Sequence, residues 1–282
     1  MKKLYCLFGV LILFSTSVSA QDEGTIVKRE RLARANNIFL GIGPSFTFGK
    51  NIGDYSLGFN GEVGFLKRMN RVLSIGPSIS YLSFDYDPEK TGFKNVFIGG
   101  PYVDQWGDSY YGGMRVDLKG GNLAITSLAF TAKINFVPVK DNTKFSVYGF
   151  VKPFISVVSR SEVTGLAYVY TNYGDPEDPQ DWEDTGAVVE LDPEDSDFEV
   201  SDKLKEGTEV TGGIFIGPGV EYNPGKNISF FAQASFGYTF PVTFVSSEKY
   251  EGFELEDVNE EYPMTKEGFP SINIQLGISF NF

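Results

Sequence analysis

The sequence predicts an all-β chain, an eight-stranded antiparallel up-and-down transmembrane β-barrel with long extracellular loops. Three observations carry that prediction. Eight segments alternate apolar with small or polar residues, and they run longer than the roughly five or six residues of an ordinary soluble strand. After a brief first connection at 49–53, short turns at 67–71, 137–143 and 223–227 alternate with long polar segments at 85–122, 159–208 and 241–270. Past residue 20, no run of about 18 apolar residues offers a membrane-spanning helix.

The first candidate strand, 38–48, sets Ile38, Leu40, Ile42, Pro44, Phe46 and Phe48 on one face. The second, 54–66, opposes Tyr55, Leu57, Phe59, Val63 and Phe65 to Asp54, Ser56, Asn60 and Glu62. The third, 72–84, opposes Leu73, Ile75, Ile79 and Tyr81 to Ser74, Gly76, Ser78 and Ser80. In the fourth, 123–136, Leu128, Phe130, Ala132, Ile134 and Phe136 share a face, but the first residues are out of phase. That break predicts a bulge or a late start.

The fifth strand, 144–158, sets Phe145, Val147, Val151 and Ile155 against Ser146, Tyr148, Lys152 and Ser156. The sixth, 209–222, sets Val210, Ile214, Ile216, Val220 and Tyr222 against Glu209, Thr211 and Glu221. The seventh, 228–240, sets Ile228, Phe230, Phe236, Tyr238 and Phe240 against Ser229, Gln233, Ser235 and Thr239. The eighth is the cleanest: Ile272, Ile274, Leu276, Ile278, Phe280 and Phe282 face one way, and Ser271, Asn273, Gln275, Gly277, Ser279 and Asn281 the other.

The character of the second face separates a membrane barrel from a soluble sandwich. A solvated exterior would be rich in lysine and glutamate, whereas Ser, Gly, Asn, Gln and Thr suit a crowded lumen. Aromatic residues near strand ends (Phe46, Phe48, Tyr81, Phe84, Tyr222, Tyr238, Phe240, Phe282) fit the interfacial girdles of such a barrel. Three strands contain Gly-Pro, at 43–44, 76–77 and 217–218, and Pro153 repeats the phase without the glycine. Proline offers no N–H to a ladder, so a bulge or bend is expected at each, with the glycine permitting close backbone packing.

Composition bounds function. The 282 residues are 41% hydrophobic and 15% aromatic, with 32 glycines and a formal net charge of −13. An acidic chain is a poor partner for nucleic acid. Lys2 and Lys3, the apolar run Leu4–Phe14 and the small-residue "VSA" at 18–20 have the order of a secretory signal peptide. Cleavage after Ala20 would remove both lysines and leave −13 − 2 = −15. It would also remove Cys6, the one cysteine, and with it disulfide, thiolate and cysteine–metal chemistry. The chain has no histidine, which excludes Ser-His and Cys-His catalysis and histidine metal sites. Domains are expected as leader 1–20, periplasmic lead-in 21–36 and barrel 37–282.

The alternation that ends in "QLGISFNF" with a C-terminal phenylalanine resembles the signal by which outer-membrane barrels are read by the barrel-assembly machinery. The whole plan resembles the small OmpA/OmpX-like outer-membrane β-barrel proteins, including the PorT-like group. The resemblance implies a bacterial outer-membrane location, lipid and assembly-machinery partners, and Phe280 and Phe282 as the membrane-insertion signal. Catalytic barrels of that compartment depend on histidine, so this chain is expected not to be an enzyme.

Glu62, Lys133, Lys152, Glu209 and Glu221 fall on the inward phase and are expected to form a lumen charge network, since buried charges need partners. Such a network either plugs the barrel or lines a pore. Acid concentrates in the loops: 14 Asp or Glu between Asp175 and Glu206 and eight between Glu248 and Glu267, 22 of the chain's 37. Those loops are read as solvated surface. Ca²⁺ there is the weaker reading, because the EF-hand order is absent.

Within the third loop, 162–172 and 186–191 read as strands extending the fifth and sixth barrel strands as a hairpin, whose edge could take a partner strand. The second loop carries Trp and Tyr in "YVDQWGDSYYGG" (102–113), which pack over the mouth or contact carbohydrate or protein. The basic cluster Lys28, Arg29, Arg31 and Arg34 would lie in the periplasm, as a flexible lead-in or a contact for a periplasmic partner. The function expected is a structural or surface-interaction role through acidic loops, accessory to an envelope or secretion complex. A narrow channel for small solutes or ions is the alternative.

Overall fold

Side chains that alternate along a strand need a sheet with different surroundings on its two faces, and a closed tube supplies them. A computed structural model describes residues 36–55, 57–87, 96–139, 143–175, 181–191, 204–225, 227–246, 249 and 263–282. The expected leader and nearly all of the lead-in lie outside the described residues. Among the described residues twelve strands form two sheets. The barrel takes β1 (Asn36–Thr47), β2 (Leu57–Arg68), β3 (Leu73–Phe84), β6 (Leu123–Asn135), β7 (Phe145–Arg160), β10 (Gly207–Tyr222), β11 (Ile228–Val245) and β12 (Met264–Asn281). Each pairs antiparallel with its chain neighbour in the ring, and β1 pairs with β12 from Asn37↔Asn281 to Thr47↔Ser271 to close it.

The two faces separate cleanly. On β1, Leu40 and Ile42 are 56% and 55% exposed on the outside, while Phe39, adjacent to Leu40, is 6% exposed inside. Some expected positions differ. Tyr55 sits in a short helical turn before β2 and is wholly buried over the lumen, not on the outer face. Phe84, expected in the outer girdle, also points inward and is fully buried. β6 shows no bulge at its start; its ladder with β3 runs in one register from Leu73↔Ile134 to Phe84↔Leu123. Leu123 and Ile125 look out of phase because the lumen itself is apolar at that end.

The Gly-Pro segments behave alike, and no bulge accompanies them. The β1–β12 ladder skips from Ile42↔Leu276 to Ser45↔Asn273 without a change of register. β2–β3 skips from Gly64↔Ser78 to Lys67↔Ile75 around Gly76-Pro77, and β10–β11 skips from Ile216↔Phe236 to Gly219↔Gln233 around Gly217-Pro218. Pro153 interrupts β6–β7 in the same way. The opposite ladder of each proline is continuous. One missing N–H therefore opens one side of a strand by two residues.

At the three Gly-Pro sites the glycine makes room for the facing strand, although Pro153, after Lys152, opens the same gap without one. A Cβ on Gly43, Gly76 or Gly217 would run into the carbonyl oxygen of Ile274, Phe65 or Ala234, the residue facing each proline. The orphaned carbonyl thus lies against bare Cα instead of an amide. At Pro44 the Asn60 side chain also reaches in, its Nδ2 2.7 Å from the Pro44 carbonyl and 3.4 Å from that of Ile274. A register shift does occur at another proline, between Thr239 and Val242 where Pro241 lies near the rim of β11.

A second sheet of order β4-β5-β8-β9 stands at the long-loop end. β4 (Val96–Val103) and β5 (Ser109–Gly120) come from the second loop, and β8 (Val163–Asn172) and β9 (Trp182–Leu191) from the third. The expected hairpin in the third loop is there, but β8 pairs with β5 on its other side. The second loop is a hairpin too, hidden in sequence by its glycines and Pro101. β5 leads into β6 and β8 continues β7, so the β6–β7 ladder ending at Leu123↔Arg160 resumes as Gly120↔Val163. Gly120 and Gly121, at φ +81° and +71°, make the bend.

The close approach at Gly217 gives a test. Gly217→Val should lower unfolding stability by about 1–3 kcal/mol, as overpacking does. Pro218→Val, which restores a donor, should stay within about 1 kcal/mol of the parent. Urea titration of vesicle-refolded protein, read as the folded fraction on unheated gels, checks both. A Gly217→Val protein as stable as the parent would sink the explanation.

Candidate functional site

The inward face builds a layered lumen. At the long-loop end Tyr55, Phe84, Leu123, Phe244, Val245 and Phe269 belong to one buried cluster. Phe84 and Phe244 meet Phe269 edge-on at 6.3 and 6.2 Å, and Tyr55 meets Phe244 at 5.9 Å. The Tyr55 hydroxyl donates to the Gly121 carbonyl at 2.8 Å and accepts from the Val245 N–H at 3.2 Å. Burial, with Tyr86 next, pushes its pKa well above the ordinary phenol value. It therefore remains a neutral phenol able to make both bonds.

Below this cap the lumen is polar. Lys152 Nζ donates to Glu62 Oε1 and Oε2 at 2.7 and 2.6 Å, and both residues are buried. Lys133 pairs with Glu221 nearer the short-turn end and lies 3.9 Å over the Tyr148 ring. The Tyr148 hydroxyl donates to Gln233 Oε1 at 3.2 Å, and Gln233 Nε2 donates to Gln275 Oε1 at 2.5 Å. Ser127 and Ser156 bond each other at 2.7 Å. Asn281 Nδ2 donates to Ser229 Oγ at 2.6 Å, and that hydroxyl donates to Asn223.

Of the five charged residues singled out from sequence, four form these two pairs. Glu209 does not join them. It lies at the long-loop rim, 3.2 Å from Lys266, where the two side chains are 33% and 64% exposed. Alternation correctly gives its phase but not its height along the strand. Sequence reasoning also passed over Arg68, which lines the cavity at the short-turn end with Asn37, Ser74, Lys133, Asn135 and Glu221. That cavity and a second one, between Phe39, Phe231 and Lys152, each have room for about two waters. Buried Asn37 Oδ1, Arg68 Nε and Asn135 Oδ1 have no protein partner, which suits water in the first.

This arrangement makes a poor reaction centre. Each lumen lysine is charge-paired, and a charge-paired ammonium is no base for a neighbouring serine. Among the described residues no three carboxylates converge to hold a metal ion. Most of the acid expected to offer Ca²⁺ ligands, at 176–180, 192–203 and 250–262, lies outside the described residues. Phe280 and Phe282 sit on the outer face at the short-turn rim, 51% and 59% exposed. The main chain of Phe282 exchanges bonds with Asn36, its N–H donating at 2.9 Å and its carbonyl accepting at 3.1 Å.

No family model matches the chain, and no curated protein matches it. Among solved structures it is similar to small outer-membrane barrels. Neisserial surface protein A is 10% identical, with 88% of this chain and 97% of that chain covered and a TM-score of 0.35. A major outer membrane protein from Thermus thermophilus is 13% identical, with 88% and 98% covered and a TM-score of 0.39. Ail, the attachment invasion locus protein of Yersinia pestis, is 12% identical, with 88% and 97% covered and a TM-score of 0.34. The fold assignment rests on this chain's own strand pairing, which is that of an eight-stranded antiparallel barrel with an apolar exterior.

The Glu62–Lys152 pair has a measurable signature. Glu62→Gln should leave Lys152 buried without its counter-charge and cost about 3–5 kcal/mol of stability. Glu62→Gln combined with Lys152→Met should recover most of that loss. Urea unfolding in lipid vesicles checks the cycle, and additive single effects would refute the pairing.

Proposed function

We propose that this chain is a non-enzymatic bacterial outer-membrane protein whose barrel is a plugged anchor and whose working part is the sheet held above it. The observation that carries this reading is the continuous path from β6–β7 into β5–β8, which raises a four-stranded sheet off the barrel rim. A loop that only joined strands would have no use for such order. Among the described residues the outer strands β4 and β9 each pair on one side, leaving an edge for a partner strand. A role as accessory to an envelope or secretion complex fits such a display.

The lumen favours an anchor over a conduit. An eight-stranded barrel is just wide enough for its own side chains. Here they form an apolar cap, bonded polar layers and cavities of water size. The long-loop end is taken as extracellular and the short turns as periplasmic, the usual asymmetry of these barrels.

Two experiments test the reading. Cys6, in the expected leader, is the one cysteine, so single-cysteine variants give clean labelling. Gln105→Cys, in the β4–β5 turn, should react with a membrane-impermeant maleimide on intact cells. Gly225→Cys, in the β10–β11 turn, should react only after the outer membrane is opened. The reverse pattern would overturn the orientation. In planar bilayers the refolded protein should give no stable conductance step, and a steady open channel would replace the anchor with a pore.

A further inference from the structure

The far end of the four-stranded sheet carries aromatic rings that the barrel does not need. Tyr102 and Tyr110 face each other across the β4–β5 ladder, and Tyr173, just past β8, continues the row. Ring centroids are 5.6 Å apart at both steps, with tilts of 47° and 37°. Tyr102 and Tyr173 remain 42% and 55% exposed, and Trp106 in the adjoining turn is 75% exposed. The turn is fixed: Asp104 Oδ1 accepts the N–H groups of Trp106 and Asp108 at 2.8 and 2.9 Å. Gly107 at φ +90° completes it. Exposed aromatic area on a rigid support is a mark of a binding surface.

The charge around these rings has one sign. Residues 96–114 contain Asp104 and Asp108 and no lysine or arginine. Residues 169–175 and 181–184, which cover the stretches of β8 and β9 level with them, contain Asp175, Asp181, Glu183 and Asp184, and again no lysine or arginine. Local desolvation, followed by Asp104, the neighbouring Tyr110, and then Asp108 and Glu183, raises the Tyr173 pKa above its ordinary value. The rings therefore sit in a negative field. Elsewhere on the same sheet a cation already sits in such a setting: the Arg115 guanidinium lies 4.6 Å over the Tyr168 ring while bonded to Asp117 at 3.0 Å.

We propose that the Tyr102–Tyr110–Tyr173 row is a docking surface for a lysine- or arginine-rich segment of a partner protein. Cationic side chains would lie on the ring faces and be held by the surrounding carboxylates. A neutral glycan would stack on the rings but gain nothing from the acids, and a phosphorylated headgroup would be repelled by them. The inference rests on the sheet being displayed as proposed above, and it adds the chemistry of what the sheet meets.

A fluorescent octa-arginine peptide titrated into full-length protein, refolded in a neutral detergent and followed by anisotropy, tests it. Saturable binding that weakens as salt rises is expected. Tyr102→Ala with Tyr173→Ala should weaken it by about 3- to 30-fold at constant salt. Asp108→Asn with Glu183→Gln should flatten the salt dependence. Unheated-gel mobility confirms that each variant is folded. No binding by the parent, or binding untouched by loss of both tyrosines, would overturn the proposal, the latter meaning diffuse attraction to acid. Binding of a neutral maltooligosaccharide in place of the peptide would also overturn it. If Gln105→Cys labels on intact cells while the peptide fails, the partner chemistry alone is wrong; if it does not label, the display reading falls with it.

Discussion

Everything in this molecule depends on the pairing of β1 with β12. In a membrane no water is present to satisfy an unpaired N–H or carbonyl, so a spanning sheet must leave no edge. The ladder from Asn37↔Asn281 to Thr47↔Ser271 removes the last one. Closing the ring at eight strands then fixes a narrow bore, and a narrow bore must be filled by the residues that face it. The inward phase of every strand is in this sense set by closure. The same constraint makes the four prolines informative. Each interrupts one ladder without shifting register, which a closed ring favours because a slip in one strand must be absorbed by its neighbours. At three of them Gly43, Gly76 and Gly217 let the facing carbonyl lie against bare Cα, while Pro153, preceded by Lys152, makes the same two-residue interruption without a glycine.

The filled bore is layered because its two ends are fed by different segments. At the short-turn end the inward residues come mainly from the regular strands, with Val139 and Asn223 added from the turns, and they include Asn, Ser, Gln and two ion pairs with Phe39, Leu66 and Phe231 among them. At the other end loop residues such as Tyr55 and Leu204 descend over the lumen and meet Phe84, Leu123, Phe244 and Phe269. That layer buries apolar surface in the manner of a soluble core. It also accounts for the two ion pairs lying deeper: carboxylate and ammonium need each other where no solvent competes, and the cap helps keep solvent away.

Eight strands, their order and their lipid-facing residues were legible in the sequence because lipid imposes a strict period of two. Reading failed where a different environment took over. Leu123, Ile125 and Phe84 looked misplaced because an apolar residue was taken to face lipid, whereas the upper lumen is apolar as well. Tyr55 was assigned outward for the same reason. Glu209 has the inward phase but stands at the rim, and phase carries no information on height. The pairs Glu62–Lys152 and Lys133–Glu221 needed cross-barrel geometry to be matched. The β4–β5 hairpin escaped notice because Gly99, Gly100, Pro101, Gly112 and Gly113 break its alternation. Gly113 has a reason in the structure: any Cβ there would collide with the Trp182 ring.

The sheet and the plug are mechanically one unit. β5 and β8 leave the barrel as continuations of β6 and β7, and on leaving they would be a bare two-stranded ribbon, which is marginally stable alone. Three contacts stiffen the junction. Val163, the first residue of β8, is fully buried in the apolar cap, and Val116 and Leu118 of β5 join it there. Tyr55 ties the Gly121 bend to Val245 on the far strand through its hydroxyl. Addition of β4 and β9 then widens the ribbon to four strands. The apolar layer that closes the lumen is thereby also the footing of the projecting sheet. A solute path through this end would have to dismantle the support of the surface above it, so the same packing argues for display and against conduction.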